Sequence, residues 1–435
     1  MIRTFNVIIF LFSSVFLLSG QDSSLSLEEA FGQAMLENYG IRIAIVDSEI
    51  AAVENHPGNA GLLPRVNLQS GLNYSSNNTK QTFFDGQLRE ANWAGTFGFN
   101  TAIQADWTVY DGGAARNRKF ILESNERLSE QQLEVLSRDL LVRLANAYYA
   151  VLYYQDAEEL LAQSVAFFED LERLEQERLR LGRGTRINLL QTQTELNRER
   201  ARLEQMSSWK KTARMDLFRL MNVEDEGAAL QSEGYFEDAE LDADLLADEI
   251  QAENPEIMLE LIRQQISEFN LELRESERYP TLDLNAGINH TYTRSDVGLL
   301  QSNRNYGPFV GATLRFNIFD GERSRRAIQR AELETRISEF QIADLRAALD
   351  AELRIRFEEF ESAGRVLDIE LNNEELARLN LSLAEEMYRA GRISNFELRE
   401  IQQQLVRTEE AVAALRRSRA TAYINLIALT NRFFW

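Results

Sequence analysis

The chain contains the same order of motifs twice, and this duplication constrains its fold more than any other feature. An aromatic residue, an Asp-Gly pair and an Arg-rich opening occur in VYDGGAARNRKF and again in IFDGERSRRAIQ. RLGRGT follows the first motif and RAGRIS follows the second. From Asp111 to Gly182 is 71 residues, and from Asp320 to Gly391 is again 71. Equal spacing within one chain predicts the same rigid element in both halves, so we assign a first repeat to 21–230 and a second to 231–435.

Both repeats contain segments in which apolar and polar residues alternate, as in strands with one apolar face. We predict membrane strands at about 65–75, 96–110, 281–292 and 308–319. Strands of about ten residues cross a bilayer when they are tilted. The edge of a soluble sandwich would alternate in the same way. The connections at 76–92 and 293–307 favour the membrane interpretation, because they are polar and rich in Asn, Ser, Thr and Arg, as long outward-facing loops should be.

Two strand-to-helix turns, Asp111-Gly112 and Asp320-Gly321, mark the change from the strand period to the 3.6-residue period of a helix. Each helix is expected to continue to the glycine of RLGRGT or RAGRIS, and some 70 residues make a helix of roughly 100 Å. Shorter helices should return from each tip, and one further helix should precede each strand pair. The predicted ranges are 187–220 and 396–427 for the returning helices, and 25–54 and 241–278 for the preceding ones.

The first twenty residues have the layout of a secretory signal peptide. Arg3 precedes an apolar run from Val7 to Leu18, which small residues follow at Ser19 and Gly20. A transmembrane anchor is the competing interpretation, but a spanning helix needs roughly 20 apolar residues. We therefore assign 1–20 to a signal peptide and expect an exported protein.

Composition excludes several classes of function. The 435 residues carry a net charge of -22, whereas nucleic-acid binding requires a basic surface. There is no cysteine, so thiol catalysis, disulfides and thiolate metal sites are absent. His56 and His290 have no further ligands at metal-binding spacing. GRGT at 182–185 is too short for a phosphate-binding loop and follows a predicted helix. We expect neither enzymatic activity nor a cofactor nor a bound metal.

One chain cannot satisfy the predicted elements by itself. The smallest membrane barrels have eight strands, and this chain supplies four. A helix of 70 residues with a narrow apolar stripe needs neighbours along its whole length. Both deficits predict an oligomer in which several chains close one barrel and one helical tube.

The motifs together resemble the outer membrane efflux protein family, the TolC-like channels. The resemblance covers essentially the whole mature chain, in the same order in both halves. It is carried by LSLEEAFGQAMLENYGIRIAIVDSEIAAVE, AGLLPRVNL, TVYDGG and RLGRGTRINLLQTQTELNRERARL.

This resemblance implies an internally duplicated α+β fold. In it, a homotrimeric outer-membrane β-barrel, with four strands per chain and twelve in all, is continuous with a long periplasmic α-helical barrel. It also implies an exit duct in the outer membrane of a diderm bacterium, serving a tripartite efflux pump or a type I secretion system. Its implied partners are outer-membrane lipid, a periplasmic adaptor (membrane fusion) protein and an inner-membrane transporter. The same resemblance implies no active site and no cofactor.

The resemblance further implies a gate at the periplasmic helix tips. The tyrosine before the second tip glycine matches Tyr388, and the two acidic positions of the constriction match Glu397 and Glu400. The arginine of the known latch corresponds to Ile393 and its acidic partner to Asn188, so that latch is absent from this chain. Arg183, Arg186 and Arg392 lie close in sequence and offer other restraints, or simply form a solvated basic tip.

Glu397 and Glu400 from three chains would place six carboxylates around a narrow axis. Unit charges about 4 Å apart interact by roughly 4 kcal/mol at an effective dielectric near 20. Such a ring would select cations, bind divalent cations and raise the pKa of some carboxyl groups. The alternative is that both residues lie on the solvated face of an acidic helix.

The tip turns match the adaptor-contact motif of the family, which implies docking by Gly182, Arg183, Gly184, Gly391 and Arg392. An exposed glycine at a helix reversal needs no partner to explain it. A non-channel periplasmic adaptor or coiled-coil scaffold is the alternative function, because it too would contain long helical hairpins. Such a protein would not need duplicated pairs of alternating strands.

Overall fold

The computed structural model describes residues 24–225, 227–231, 241–298 and 300–430, and the predicted signal peptide at 1–20 lies outside these ranges. The chain divides into two units. We call them the helical unit (Met1–Ala44, Glu134–Pro255 and Arg346–Trp435) and the sheet unit (Ile45–Leu133 and Glu256–Leu345).

The described elements follow the same order twice. They are α1 (Leu27–Glu37), α2 (Tyr39–Glu54), α3 (Pro57–Ala60), β1 (Arg65–Thr82), β2 (Leu88–Tyr110), α4 (Ala114–Arg180), α5 (Arg186–Met221), α6 (Ala243–Glu253), α7 (Pro255–Ser276), β3 (Thr281–Ser295), β4 (Ser302–Arg315), α8 (Arg323–Arg389) and α9 (Asn395–Ile427). No helix among the described residues is both long and apolar enough to span a membrane.

The sheet unit contains one antiparallel sheet in the order β1-β2-β3-β4. The pairing of β2 with β3 joins the two repeats and runs from Thr96 opposite Ser295 to Tyr110 opposite Leu282. Strands β1 and β4 are the outer strands, so within the described chain each has one edge without a partner strand.

The strands of the first hairpin are longer than predicted. The segment 76–92, expected to be a loop, mostly continues β1 and β2, and only 83–87 connects them. The polar Asn, Ser and Thr residues there still form a backbone ladder, which places Thr82 opposite Leu88. The turn is made at Asp85-Gly86, where Gly86 has a φ of 86°. Polarity alone therefore did not distinguish a loop from the solvated end of a hairpin.

The second hairpin also differs from its predicted limits. β3 continues to Ser295 and β4 begins at Ser302, so the expected loop at 293–307 is shorter. At the other end, β4 was predicted to reach 319 but stops at Arg315. Arg315 is paired with Thr281, the first residue of β3. Pro280 precedes Thr281 and has no N–H to donate, which ends the ladder at that point.

Each Asp-Gly motif lies where a strand is followed by a 67-residue helix. Asp111 Oδ2 accepts a hydrogen bond from the backbone N–H of Ala115 at 2.7 Å. Asp320 accepts from the N–H groups of Arg323 at 3.0 Å and Ser324 at 2.9 Å. The aspartates thereby satisfy N–H groups that have no partner within the first turn of a helix.

The single helix predicted before each strand pair is in fact two helices. Asn38 separates α1 from α2, and Asn254 separates α6 from α7. The Nδ2 of Asn38 donates to the carbonyl oxygen of Leu220 at 2.8 Å, and that of Asn254 donates to Leu429 at 2.8 Å. Both acceptors lie at or near the end of a returning helix. A tertiary hydrogen bond at equivalent places therefore breaks the helix in both repeats.

Candidate functional site

The two helix reversals of the helical unit have the same backbone geometry. Gly182 has a φ of 70° and Gly391 a φ of 68°, in the left-handed region that favours glycine. The N–H of Arg183 donates to the carbonyl of Arg178 at 2.8 Å, and the N–H of Gly182 donates to Leu179 at 3.1 Å. These two bonds form a Schellman motif. The same pair of bonds occurs after α8, so both tip glycines are required by the helix ends themselves.

The predicted docking residues lie on the surface of these reversals. Gly182, Arg183, Gly391 and Arg392 are exposed, and Gly184 is half-buried. A Cβ at Gly184 would lie 3.0 Å from the backbone nitrogen of Leu179.

Tyr388 lies inside the helical unit at the end of α8, with only 3% of its surface exposed. Its hydroxyl donates to Oε1 of Glu175, whose residue is 1% exposed. Burial and this hydrogen bond raise the pKa of Tyr388 to about 12. The phenol therefore stays protonated at neutral pH and remains a donor to the carboxylate.

Arg178 completes this buried contact. Its guanidinium lies over the ring of Tyr388, 4.1 Å from the centroid, and its Nη2 donates to the Tyr388 carbonyl at 2.9 Å. Nη1 of Arg178 lies 3.7 Å from Oε1 of Glu175. An arginine over an aromatic face is attracted by the ring as well as by the carboxylate. We call Glu175, Arg178 and Tyr388 the buried triad.

The start of α9 also contacts the buried triad, and the start of α5 contacts α9 at the same place. Asn395, at the start of α9, is 3% exposed, and its Nδ2 lies 3.5 Å from the Tyr388 hydroxyl. The same Nδ2 lies 3.4 Å from Oγ1 of Thr192 in α5. Polar contacts at one place thus join the ends of α4 and α8 to the starts of α5 and α9.

The positions of the missing latch have other roles. The backbone N–H of Asn188 donates to Oγ1 of Thr185 at 3.2 Å, which caps α5. Ile393 packs against the cluster of buried side chains that includes Phe168 and Tyr388. Asn188 and Ile393 therefore belong to a helix cap and a hydrophobic core. Among the described residues, the side chains of Arg183, Arg186 and Arg392 have no hydrogen-bond or ion-pair partner. Arg178, in contrast, contacts both Tyr388 and Glu175.

Glu397 occupies the third position of α9 and forms a capping box with Ser394. Its carboxylate accepts from the backbone N–H of Ser394 at 2.7 Å and from the Ser394 hydroxyl at 2.7 Å. The backbone hydrogen bond, followed by the hydroxyl, lowers the pKa of Glu397. Within one chain the pKa is therefore lowered, whereas a closed ring of carboxylates was expected to raise it.

Glu400 lies one turn further along the same helix and is exposed. Its Oε1 is 3.3 Å from Nη2 of Arg407, an ion pair in which both side chains are more than half exposed. Exposed pairs of this kind contribute little to stability, typically 0 to about 1 kcal/mol. Glu400 therefore keeps a carboxylate available to solvent or to a neighbouring chain.

The start of α5 and the start of α9 enclose a groove next to Glu400. Its lining includes the exposed apolar residues Ile187, Leu190 and Phe396, together with the nearly buried Arg399. Arg399 donates to Oε1 of Gln191 at 3.2 Å and lies 3.7 Å from Glu195. Apolar side chains that are exposed together at such a place indicate a contact surface.

Sequence reasoning selected Tyr388 but not Glu175, Arg178 and Asn395, which contact it. They lie on long polar helices without a local motif. The duplication contained a usable signal, because the positions equivalent to Glu175 and Arg178 in the second repeat are Ala384 and Met387. Asymmetry between otherwise equivalent tips marks these residues. No group of His, Cys, Asp or Glu that could hold a metal ion occurs among the described residues.

Comparisons with known proteins follow the same division into two repeats. The profile of the family described as "Outer membrane efflux protein" matches residues 53–223 and 246–432. The alkaline protease secretion protein AprF of Pseudomonas aeruginosa is 24% identical over 412 residues, which cover 92% of this chain and 84% of AprF. The proteases secretion protein PrtF of Dickeya chrysanthemi is also 24% identical, covering 78% of this chain and 73% of PrtF.

The fold is similar to that of solved channels. The Campylobacter jejuni CmeC outer membrane channel superposes with a TM-score of 0.76 at 14% identity, covering 95% of this chain and 90% of CmeC. The family profile spans well over half of the chain and includes both strand pairs and both tips. As its motifs predicted, the chain therefore belongs to the outer membrane efflux protein family and is an outer-membrane channel protein, not an enzyme.

Proposed function

We propose that three copies of this chain form an exit duct through the outer membrane. The observation that carries the proposal is the sheet: one face is largely apolar and exposed, and within the described residues each outer strand has an edge without a partner strand. Leu68, Leu72, Ile288 and Val310 are each more than 60% exposed on that face. In water such a surface would aggregate, whereas in a bilayer it contacts lipid. Pairing of free edges between chains would close a barrel without an edge.

The helical unit would then continue the passage into the periplasm. Helices α4 and α8 have 67 residues each, and together with α5 and α9 they supply the wall of a tube. The exposed turns at Gly182, Arg183, Gly184, Gly391 and Arg392 would contact a periplasmic adaptor. An inner-membrane transporter would complete the tripartite assembly and supply the energy.

Protein secretion is the favoured use of this duct over small-molecule efflux. AprF and PrtF, which match much of this chain, are both named as protease secretion proteins. We therefore propose a type I secretion role, with polypeptide as cargo. Drug efflux is the second candidate, favoured by the similarity to the CmeC channel and by the family description.

The tips would form the gate of the duct. The buried triad would hold the end of α8 against α4, and Glu397 and Glu400 would line the aperture. Ionised carboxylates from three chains would favour cations and bind divalent ions.

The test is single-channel conductance in planar lipid bilayers, with and without a divalent cation. We compare the wild type with a Glu397→Gln, Glu400→Gln double variant, because Gln preserves the capping box while removing the charge. Glu386→Gln, an exposed carboxylate near the same tip, is the control. We expect a cation-selective conductance that the divalent ion blocks, and loss of both properties only in the double variant.

Each other outcome contradicts a different part of the proposal. Equal behaviour of wild type and double variant would reject the carboxylate aperture but keep the channel. Failure of the protein to form trimers or to insert into lipid would reject the duct and favour the scaffold function.

A further inference from the structure

The polar face of the sheet, opposite its apolar face, is almost free of charge. Cross-strand pairing places 67–77 of β1 beside 94–104 of β2, and 285–295 of β3 beside 303–311 of β4. The pairing of β2 with β3 joins the two hairpins, with Asn100 opposite Thr291. On the polar face these ranges contribute only Asn, Gln, Ser, Thr, Gly, Ala and one Phe. Eight of the residues are asparagines: Asn67, Asn73, Asn77, Asn100, Asn285, Asn289, Asn303 and Asn305. We call this surface the amide face.

Close to the amide face, the charges on the polar face lie at its end nearest the long helices, where Asn285 pairs with Asp106. At the opposite end, beyond the amide face, Arg89 lies opposite Gln81. Arg65 lies directly opposite Asp106. Asp283 forms an ion pair with Arg315 and accepts a hydrogen bond from Oγ1 of Thr108 at 2.6 Å. At the end nearest the long helices, two arginines and two aspartates cancel, so this end contributes no net charge either. The net charge of -22 must therefore reside outside this face.

Several asparagines of the amide face lie flat against the sheet because a glycine stands opposite them. A Cβ at Gly71 would lie 2.8 Å from Oδ1 of Asn100, and a Cβ at Gly311 would lie 2.7 Å from Oδ1 of Asn285. Asn73 covers Gly98 in the same way. The arrangement occurs at three cross-strand pairs of residues, two in the first hairpin and one in the second. It keeps the amide groups on the wall of the passage and out of its centre.

From these placements we propose that the amide face lines a stretch of the exit duct that does not select cargo by charge. The asparagines give this stretch a neutral, hydrogen-bonding wall. This inference rests on the proposed function, in which the sheet forms part of a closed barrel. A cargo of mixed charge, such as an extended polypeptide, meets only neutral hydrogen-bonding groups there, so neither its acidic nor its basic segments are retained. Charge selection is left to the acidic helices.

Distance supports an independent electrostatic environment for this stretch. Asn100 lies six residues from Asp106 along β2, which is about 20 Å at the rise of a strand. The Debye length is about 10 Å at 0.1 M ionic strength, so the charged end is largely screened from Asn100. Adding one carboxylate here would change the local potential strongly, because no other charge on the amide face competes with it.

The absence of cysteine from the chain permits a direct test. Asn100→Cys and Asn289→Cys each place one thiol on the amide face, and Ile103→Cys places one on the apolar face of the same strand as Asn100. In outer-membrane vesicles, each variant reacts with a cationic trimethylammonium and an anionic sulfonate methanethiosulfonate reagent. The ratio of the two rates, divided by the ratio for a free small thiol, reports the local potential.

We expect both amide-face thiols to react, with a corrected ratio within about threefold of unity at 0.1 M salt, because the nearest charges on the same side of the sheet lie beyond a Debye length. Asn100→Asp combined with Asn289→Cys should shift the ratio severalfold toward the cationic reagent. A preference on the order of tenfold in the single-Cys variants, about 1.4 kcal/mol, would overturn the proposal. So would an unchanged ratio after Asn100→Asp.

The Ile103→Cys variant separates this inference from the proposed function. A thiol on the lipid-facing side should remain unreactive to both charged reagents. The sheet does not form the wall of an aqueous passage if Ile103→Cys reacts while the amide-face thiols do not. The same conclusion follows if the thiols on the two faces react at the same rate. Either result rejects the duct itself, whereas reactive amide-face thiols with a strong charge preference reject only the neutral stretch.

Discussion

At the scale of single residues, the buried triad holds the most unusual chemistry in the helical unit. A phenol that donates to a buried carboxylate is kept protonated, because a second negative charge beside Glu175 would be unfavourable. Arg178 lies over the ring of Tyr388 and compensates the carboxylate only partly, at 3.7 Å. The contact therefore depends on the proton of Tyr388.

This dependence predicts a loss of stability at high pH. The pKa of Tyr388 is raised to about 12, above the ordinary value of 10.0 for tyrosine, first by burial and then by the hydrogen bond to Glu175. Because the folded state binds this proton more tightly, its contribution is fully present below pH 10 and is lost as the pH rises from 10 to 12. Thermal unfolding at about pH 9 and about pH 11 should show a larger decrease for wild type than for Tyr388→Phe. Parallel decreases would contradict the prediction.

Substitution at neutral pH tests the same contact by another route. Tyr388→Phe leaves Glu175 buried without its donor, which should cost about 2 kcal/mol of unfolding free energy. In a Glu175→Gln background the same change should cost less than about 1 kcal/mol, because a neutral amide loses less on burial. Chemical unfolding of the four proteins in detergent gives the coupling energy. Glu177→Gln, an exposed carboxylate in the same turn, is the control. Simple additivity of the two substitutions would show that the residues do not interact.

The residues of the site were only partly predictable from sequence. Tyr388 was selected because it stands three residues before a tip glycine, a position that has a counterpart in the family that the chain resembles. Glu175 was not selected, because one carboxylate on a helix rich in Glu carries no periodic signal and its burial depends on α8 and α9. Glu397 was selected as an aperture residue, which stays a prediction, whereas its capping role could have been predicted because Ser394 precedes it by three residues, as a capping box requires.

At the scale of elements, periodicity predicted most of the secondary structure, and tertiary contacts account for the differences. The tips and the long helices follow from glycine positions and the 3.6-residue period. The breaks at Asn38 and Asn254 follow from side-chain bonds to the distant carbonyls of Leu220 and Leu429, which no local pattern reveals. Pro255 was the one local signal of the second break, because proline is favoured in the first turn of a helix.

The two asparagine breaks differ in burial, which predicts unequal effects. Asn254 is fully buried, whereas Asn38 is half-buried. Asn254→Ala leaves the Leu429 carbonyl unsatisfied away from water and should cost about 2 to 3 kcal/mol, against about 1 kcal/mol for Asn38→Ala. Thermal unfolding followed by circular dichroism compares the two variants directly. Equal losses would show that the hydrogen bond to Leu429 is not the source of the difference.

At the scale of the whole molecule, charge and hydrogen bonding are distributed unevenly. The sheet combines an exposed apolar face with an uncharged amide face, while the helices carry most of the acidic residues. The surface of the helices is therefore suited to contact with water, whereas the apolar face of the sheet is suited to contact with lipid. The proposed assembly in a membrane satisfies both parts, because the outer edges of β1 and β4 need partner strands where no water is available to bond them.

This requirement predicts that β4 of one copy pairs with β1 of the next, which engineered disulfides can detect in a chain without cysteine. Directly opposite residues of an antiparallel pair have Cα atoms about 4.5 to 5.5 Å apart, within the range of a disulfide. We combine Ala312→Cys in β4 with Leu68→Cys, Ser70→Cys or Leu72→Cys in β1, so that successive registers are sampled on one face. Mild oxidation in membranes should produce a covalently linked species of three chains in at least one combination.

Strand β2 supplies the matched control for this experiment, because strands of its own chain pair with it on both sides. Ile103→Cys combined with Ala312→Cys should give no cross-linked trimer under the same conditions, and neither should any single variant. If all three β1 combinations also remain monomeric after oxidation of inserted protein, the outer strands do not meet between copies. The sheet edges would then have to be covered in another way, since an open edge at the depth of the bilayer would leave a row of unsatisfied backbone groups.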